Sequence, residues 1–401
     1  MTKLTRRRWI ASAGAAAAAA SVLPPSVSAA SPELPPLPPR PKAEVFKERQ
    51  AKLRAGAKSR GWDAILLTPS TNLAYASGLS MPRSERLTAL LLFTDGPAVL
   101  VTPSFEESNV TRDATVDDVQ TWQEEQDPIA IAAKILSRKT VGVEGSTAFS
   151  IASLISSAAS AKIEEASAVF DALRAVKSAE ELAFIREAGR RTVLAITATH
   201  GHLRRGLSES EVSSLLAQEF SKLGVHGDGL VQFGASAALP HGGPGERQLA
   251  RGDAVLIDCG CRVRGYTSDV TRTVSFGPPS DEFRKVYGIV DRAQVAGIET
   301  LEAGRTGEEV DRAARKVIEE AGYGKYFTHR LGHGLGMDGH EHPYLVKGNG
   351  KPLVAGNTVT IEPGIYLPGK FGVRIEDDYG VGEKGLASLS VRPQELVVLK
   401  G

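Results

Sequence analysis

The residues of this chain able to do chemistry gather in two stretches, each of which reads as a pair of strands. The first runs from Ala254 to Phe276 (AVLIDCGCRVRGYTSDVTRTVSF), where two strand-like runs flank the turn Arg262-Val263-Arg264-Gly265. A hairpin closing between Val263 and Arg264 sets Asp258 opposite Asp269. The second runs from Thr358 to Gly380 (TVTIEPGIYLPGKFGVRIEDDYG), with its turn at Pro368-Gly369-Lys370. Counting outward from Gly369 sets Glu362 opposite Glu376. Directly opposed residues of an antiparallel pair have Cβ atoms about 5 Å apart. Flanked by apolar Ile257, Val270, Ile361 and Ile375, the two carboxylate pairs would repel each other and lose hydration. Cations resolve the conflict. Four carboxylates carry a charge of about −4, which two divalent ions neutralise, and two-metal hydrolytic sites hold their ions about 3.5–4 Å apart.

A nitrogen ligand would complete such a site. Half of the chain's 8 histidines, namely His329, His333, His340 and His342, fall in the short stretch His329-Arg330-Leu331-Gly332-His333-Gly334-Leu335-Gly336…His340-Glu341-His342-Pro343. Its glycines permit close backbone approach. His241, in Ala238-Leu239-Pro240-His241-Gly242, sits in a Gly/Pro-rich loop suited to a pocket wall.

The elements that must position these groups follow from periodicity and capping. From Ala43 the pattern is helical, and Ala64–Leu67, Ala89–Phe93, Ala98–Val101, Val141–Val143 and Ala168–Phe170 read as strands of an α/β domain. Beyond Asp171 come three capping boxes, Ser178–Glu181, Ser208–Glu211 and Thr306–Glu309, each opening an amphipathic helix. Long β-like stretches cover 253–263, 266–276, 358–367 and 372–381. Helices followed by hairpins, then a helix and more hairpins, predict an α+β fold for residues 172–401.

A chain of 401 residues exceeds one compact core, and two domains are expected. With 48 basic against 47 acidic residues, neither a nucleic acid nor an anionic membrane is the expected partner. Residues 1–30 read as an address: Thr5-Arg6-Arg7-Arg8-Trp9-Ile10 resembles a twin-arginine export signal, followed by an Ala-rich run too short to span a bilayer and by small residues at Val27–Ala30. A periplasmic or extracellular enzyme is therefore expected, with no stable membrane span after signal cleavage. Residues 31–42 read as a stiff Pro-rich linker. Cys259 and Cys261, two apart in a strand, are expected as core thiols and not as a disulfide.

Together these features resemble the pita-bread metallopeptidases: prolidase, aminopeptidase P, methionine aminopeptidase and their relatives. The resemblance includes a creatinase-like N-terminal domain over 43–171, where Asn72-Leu73-Ala74-Tyr75-Ala76-Ser77-Gly78 looks like that domain's usual segment. The stretch from Leu173-Arg174-Ala175-Val176-Lys177-Ser178 to Ile185-Arg186 resembles the family's linker helix. The resemblance implies five metal ligands, Asp258, Asp269, His333, Glu362 and Glu376, for two divalent ions: manganese first, then cobalt or zinc. It makes Asp269 and Glu376 the bridges. It also implies substrate and proton-relay roles for His241 and His340, a pocket role for His329 and Arg374, and Glu362 as the proton acceptor. The implied activity is a dinuclear exopeptidase that cleaves Xaa-Pro dipeptides or Xaa-Pro N-termini, with peptide substrate and a homodimer as partners. A creatinase-like C–N hydrolase and a non-proline aminopeptidase share the fold and are the alternatives.

Overall fold

Strand β1 (Ala64–Leu67) shows how the N-terminal sheet is built: every one of its residues is buried. Ala64 and Leu66 face one apolar core with Leu91 and Val99, while Ile65 and Leu67 face another with Leu53 and Leu90. A strand covered on both faces reads as an unbroken apolar run. The computed structural model describes residues 35–110, 114–240, 242, 245–383 and 385–401. The export signal expected over residues 1–30 lies outside the described residues. Around β1 the sheet adds β2 (Ala89–Phe93), β3 (Ala98–Pro103), β4 (Asp118–Trp122), β5 (Thr140–Val143) and β6 (Lys162–Glu165), in the order β4-β3-β2-β1-β5-β6. Helices α1 (Ala43–Lys58), α2 (Thr71–Ser77), α3 (Pro128–Ile135) and α4 (Phe149–Ala159) accompany it.

The strand expected at Ala168–Phe170 is instead part of helix α5 (Ser167–Ala175). The sixth strand lies just before it at Lys162–Glu165. Val169, Phe170 and Leu173 share one helical face, and that 3-to-4-residue spacing prevails over the β-prone Val-Phe pair.

All three capping boxes form, with the hydroxyl and the glutamate exchanging both hydrogen bonds, and they open α6 (Ala179–His202), α7 (Glu209–Lys222) and α9 (Gly307–Glu320). Helix α8 (Asp281–Thr300) starts on Ser280, whose hydroxyl accepts from the Phe283 amide. Helices α6 and α7 pack Ile185, Val212 and Leu216 on Val231 and Ile257 of the second sheet. That sheet holds β7 (His226–Phe233), β8 (Ala254–Val263), β9 (Tyr266–Thr267), β10 (Val270–Phe276) and, from the C-terminus, β18 (Val398–Leu399). Helices α8 and α9 pack Val286, Val310 and Ala314 on Val359, with Ile375 in the same core. The third sheet comprises β11 (Gly332–Gly334), β12 (Glu341–Leu345), β13 (Thr358–Ile361), β16 (Asp377–Val381) and β17 (Leu386–Ser388), while β14 (Gly364–Leu367) pairs with β15 (Phe371–Arg374). The α+β architecture expected for this half is the one observed. Cys259 and Cys261 are buried free thiols. Among the described residues no helix is long and apolar enough to cross a membrane.

Register decides which acids meet. The second hairpin pairs Gly364 with Arg374 and Ile361 with Asp377, the count expected around Gly369. Glu362 and Glu376 therefore occupy opposed positions. Both strands are interrupted there, and Pro363 has no N–H for the ladder. The first hairpin departs from its expected count. Its turn is the two-residue Arg264-Gly265, with φ of 53° and 88°, and it sets Thr271, not Asp269, opposite Asp258. Tight hairpins favour left-handed backbone at both central residues; Gly265 adopts it freely and Arg264 bears the strain. The shift moves the partner by two residues, which preserves the face, so Asp258 and Asp269 stay on the same side.

Candidate metal centre

The interrupted second hairpin and the end of the first bring four acids, and β11 with its flanking loops brings three histidines, into one cavity of about 440 Å³, lined by Asp258, Asp269, His329, Arg330, His333, His340, Glu362, Arg374 and Glu376. Three groups of side chains present ligand atoms within 4.8 Å of one another: His333, Glu362 and Glu376; Asp258, Asp269 and Glu376; and Asp269, His333 and His340. The first two share Glu376. Each sequence-derived candidate but one is thus in or beside this cavity; the exception, His241, lies outside the described residues.

Electrostatics make the cluster unstable by itself. Burial, then the charges of Glu376 and Asp258, push the Asp269 carboxyl well above the usual range. Burial and Glu376 do the same to Glu362. Burial followed by Asp258 raises Glu376 to about 8. His333 is held neutral, its pKa lowered to about 3 by burial and then by His340. Its Nδ1 lies 3.1 Å from the Gly334 carbonyl, which can only accept, so the proton sits on Nδ1. The Nε2 lone pair then faces Glu362 Oε1 at 3.5 Å and Asp269 Oδ2 at 3.7 Å. A lone pair confronting carboxylate oxygens is repulsive unless a proton or a cation lies among them, and at a pH where the acids ionise only the cation remains. An oxygen-rich donor set with one imidazole, its second nitrogen fixed by a carbonyl, fits a divalent ion.

Around the acids lies a layer of donors. Arg374, buried with 2% of its side chain exposed, donates from Nη2 to Asp258 Oδ2 at 2.5 Å, from Nη1 to the Tyr366 hydroxyl at 2.7 Å and from Nε to Thr271 Oγ1 at 3.0 Å. Thr271 in turn donates to Glu376 Oε2 at 2.6 Å. The Tyr366 hydroxyl donates to His329 Nε2 at 2.8 Å, since His329 Nδ1 faces the Arg330 carbonyl at 2.7 Å. Arg374, expected as a pocket arginine, is set beneath the acids with its fork turned to the protein's own groups. His340 is exposed, and its ring centroid lies 3.9 Å from that of His333.

Thr271, Tyr366 and Arg330 were not found by sequence reasoning. The corrected hairpin count would have marked Thr271 as the residue facing Asp258. Tyr366 follows by β alternation, on the same face as Gly364 and thus as Glu362. Arg330 stood inside the histidine stretch. Its guanidinium stacks 4.4 Å from the Tyr344 ring centroid and, among the described residues, makes no ion pair.

Comparison with known proteins bears on both halves. The chain matches the Creatinase/Prolidase N-terminal domain family over residues 49–176 and metallopeptidase family M24 over residues 183–383. An uncharacterized peptidase of Staphylococcus aureus (strain USA300) is 36% identical over 331 residues, covering 82% of this chain and 94% of the relative. Among solved structures, dipeptidase PepE from Mycobacterium ulcerans superimposes with a TM-score of 0.85 at 34% identity, covering 90% of this chain and all of that one (100%). A prolidase from Thermococcus sibiricus gives 0.83 at 33% identity, over 88% of this chain and 99% of its own. An Xaa-Pro dipeptidase from Bacillus anthracis gives 0.81 at 33% identity, over 88% of this chain and 100% of its own. With a creatinase-like domain leading into a pita-bread catalytic domain, the chain belongs to metallopeptidase family M24 and is a metallopeptidase.

Proposed function

We propose that this metallopeptidase is a dinuclear exopeptidase acting on Xaa-Pro dipeptides or Xaa-Pro N-termini. One observation carries the two-ion reading: two three-residue donor groups share Glu376, one of them containing the His333 lone pair that faces acid oxygens. In this reading Asp258, Asp269 and Glu376 would hold one ion and His333, Glu362 and Glu376 the other, with Asp269 and Glu376 assigned to both by resemblance. Manganese is the first expectation, cobalt and zinc the next. Bound divalent ions supply Lewis acidity and a hydroxide nucleophile at neutral pH.

The chain's own groups do the rest. Glu362 accepts the proton of the attacking water and passes it to the leaving nitrogen. His340, exposed at the cavity, donates to the scissile carbonyl. Arg374 and Thr271 hold Asp258 and Glu376 in place, and His329 steadies the wall through Tyr366. Arg330, which among the described residues makes no ion pair, receives the C-terminal carboxylate of a short substrate. The proline preference rests on the likeness to a prolidase and an Xaa-Pro dipeptidase, and His241 is assigned to the substrate by resemblance. Export through the twin-arginine route is supported by Thr5–Ile10, and a homodimer by resemblance alone.

The test is a peptide series, Ala-Pro, Ala-Pro-Gly and Ala-Ala, assayed on protein loaded with Mn²⁺, Co²⁺ or Zn²⁺. Cleavage of Ala-Pro bonds above Ala-Ala supports the proposal. Hydrolysis of Ala-Ala alone, or of a non-peptide C–N bond, removes the proline assignment.

A further inference from the structure

Two sequence segments have no part in the chemistry above, Asn72–Gly78 and Leu173–Ser178. Leu173–Ser178 and Thr71, the residue just before Asn72, reach the loop that carries His340, and Asn72 braces Arg174. That loop, residues 335–340, joins β11 to β12 and is neither helix nor strand. His340 is exposed with its ring against that of His333, and the loop that carries it sets where that ring stands. Two acids bracket it, Asp338 two residues before and Glu341 next after, and both are gripped from outside the catalytic sheets.

Arg174, on α5, donates from Nη2 to Asp338 Oδ2 at 2.6 Å and to Glu341 Oε2 at 2.5 Å, and from Nη1 to Asn72 Oδ1 at 2.8 Å. Lys177 Nζ, with 1% of its side chain exposed, donates to Glu341 Oε1 at 2.6 Å. From α2, the Thr71 hydroxyl donates to Asp338 Oδ1 at 2.6 Å. Asn72 is itself fixed, donating to Glu144 Oε2 at 2.8 Å, while Ser70 donates to Glu144 Oε1 at 2.7 Å. The loop is backed hard against this network. A Cβ on Gly336 would lie 2.5 Å from Glu341 Oε1 and 2.9 Å from Lys177 Cε. Both carboxylates flanking His340 are thus tied to groups on α2, α5 and the segment before α6.

Buried ion pairs are weak evidence for stability, because desolvation offsets their attraction. What an arginine fork and a buried ammonium do provide is direction. The object held in place is one loop, and that loop bears one chemically active side chain.

We propose that Arg174 and Lys177 are positioning residues that fix the His340 loop, so that the N-terminal domain and linker act on catalysis within the same chain. This rests on the reading of His340 as the donor to the scissile carbonyl. Misplacement of a catalytic group by about 1 Å can cost about 100-fold in rate.

The experiment uses the metal-loaded full chain and the variants Arg174→Gln, Arg174→Lys, His340→Ala and the Arg174→Gln/His340→Ala double variant. Lys177 still neutralises Glu341 in Arg174→Gln, which keeps the fold within reach. The expected results are a fall in kcat of about 10- to 100-fold with KM within about threefold, partial recovery in Arg174→Lys, unchanged metal content, and faster amide hydrogen exchange over residues 336–342 alone. In the His340→Ala background, Arg174→Gln should cost little more. Full kcat in Arg174→Gln, or equal losses in the presence and absence of His340, overturns the proposal. Faster exchange throughout the chain, with lost metal, overturns it too, by making Arg174 a general structural residue. If His340→Ala keeps full activity, the reading of His340 fails instead. If the wild-type chain cleaves no peptide, the proposed function fails, and exchange over 336–342 still decides whether Arg174 holds the loop.

Discussion

Arg374 Nη2 and Asp258 Oδ2 lie 2.5 Å apart, and this contact joins the second acid-bearing hairpin to the first. The same guanidinium reaches Thr271 and Tyr366, so one planar fork sets three partners at once. Lysine keeps the charge and loses the fork. In Arg374→Lys, kcat/KM should fall by about 100-fold and metal affinity by about 10- to 100-fold, read by steady-state kinetics and calorimetry. Affinity equal to that of the wild type would show that Arg374 does not orient the acids.

The buried acids make the metal-free protein sensitive to alkali. Glu376 titrates near 8 in the fold against about 4.3 in an unfolded chain, with Asp269 and Glu362 displaced in the same direction. A raised carboxyl pKa means that the folded state holds protons the unfolded state has released. Stability of the metal-free protein should therefore fall as pH rises from about 4.3 through about 8. Cations relieve the repulsion, so the gain in Tm on adding metal should widen from pH 5 to pH 8. A gain independent of pH contradicts this assignment.

At the other end of the scale, His200 should limit acid stability. Its pKa is lowered to about 4 by burial and then by Arg272, and its Nε2 is buried with no hydrogen-bond partner among the described residues. A depressed histidine pKa leaves the folded state short of protons, so stability is lost as pH falls from about 6.5 through about 4. The Tm difference between His200→Gln and the wild type, both metal-loaded, should shift in favour of the variant over that window. No change in the difference would remove His200 from the acid limb.

Arg330 should separate dipeptides from longer substrates. A hydrogen bond to a charged group contributes about 1.5–3 kcal/mol, or roughly 10- to 100-fold. Arg330→Gln should raise KM for Ala-Pro by that factor and leave the C-terminal amide of Ala-Pro nearly unaffected. Equal effects on acid and amide would show that Arg330 does not receive the carboxylate.

Much of this was legible in the sequence, and the exceptions have physical causes. Glu362 and Glu376 could be paired by counting because the Pro368-Gly369-Lys370 turn centres the hairpin on one residue. Asp258 could not, because the left-handed pair Arg264-Gly265 moves the centre by one residue and puts Thr271 opposite. Even so, side-chain alternation kept Asp258 and Asp269 on one face. The three capping boxes were explicit in residue identity and spacing. Val169-Phe170 misled because two adjacent β-prone residues can equally lie on one helix face. Arg174 and Lys177 stood in a motif without an evident role. Their partners, Asp338 and Glu341, lie more than 160 residues away, a distance no local pattern spans.

The central claim is that two divalent ions in this acid cluster cleave an Xaa-Pro bond. It is tested most directly by titrating metal-free protein with Mn²⁺ while following Ala-Pro hydrolysis. The rate should rise to a plateau at two equivalents of metal and stay at background in Glu376→Gln. A plateau at one equivalent, or no cleavage at any metal concentration, would contradict it.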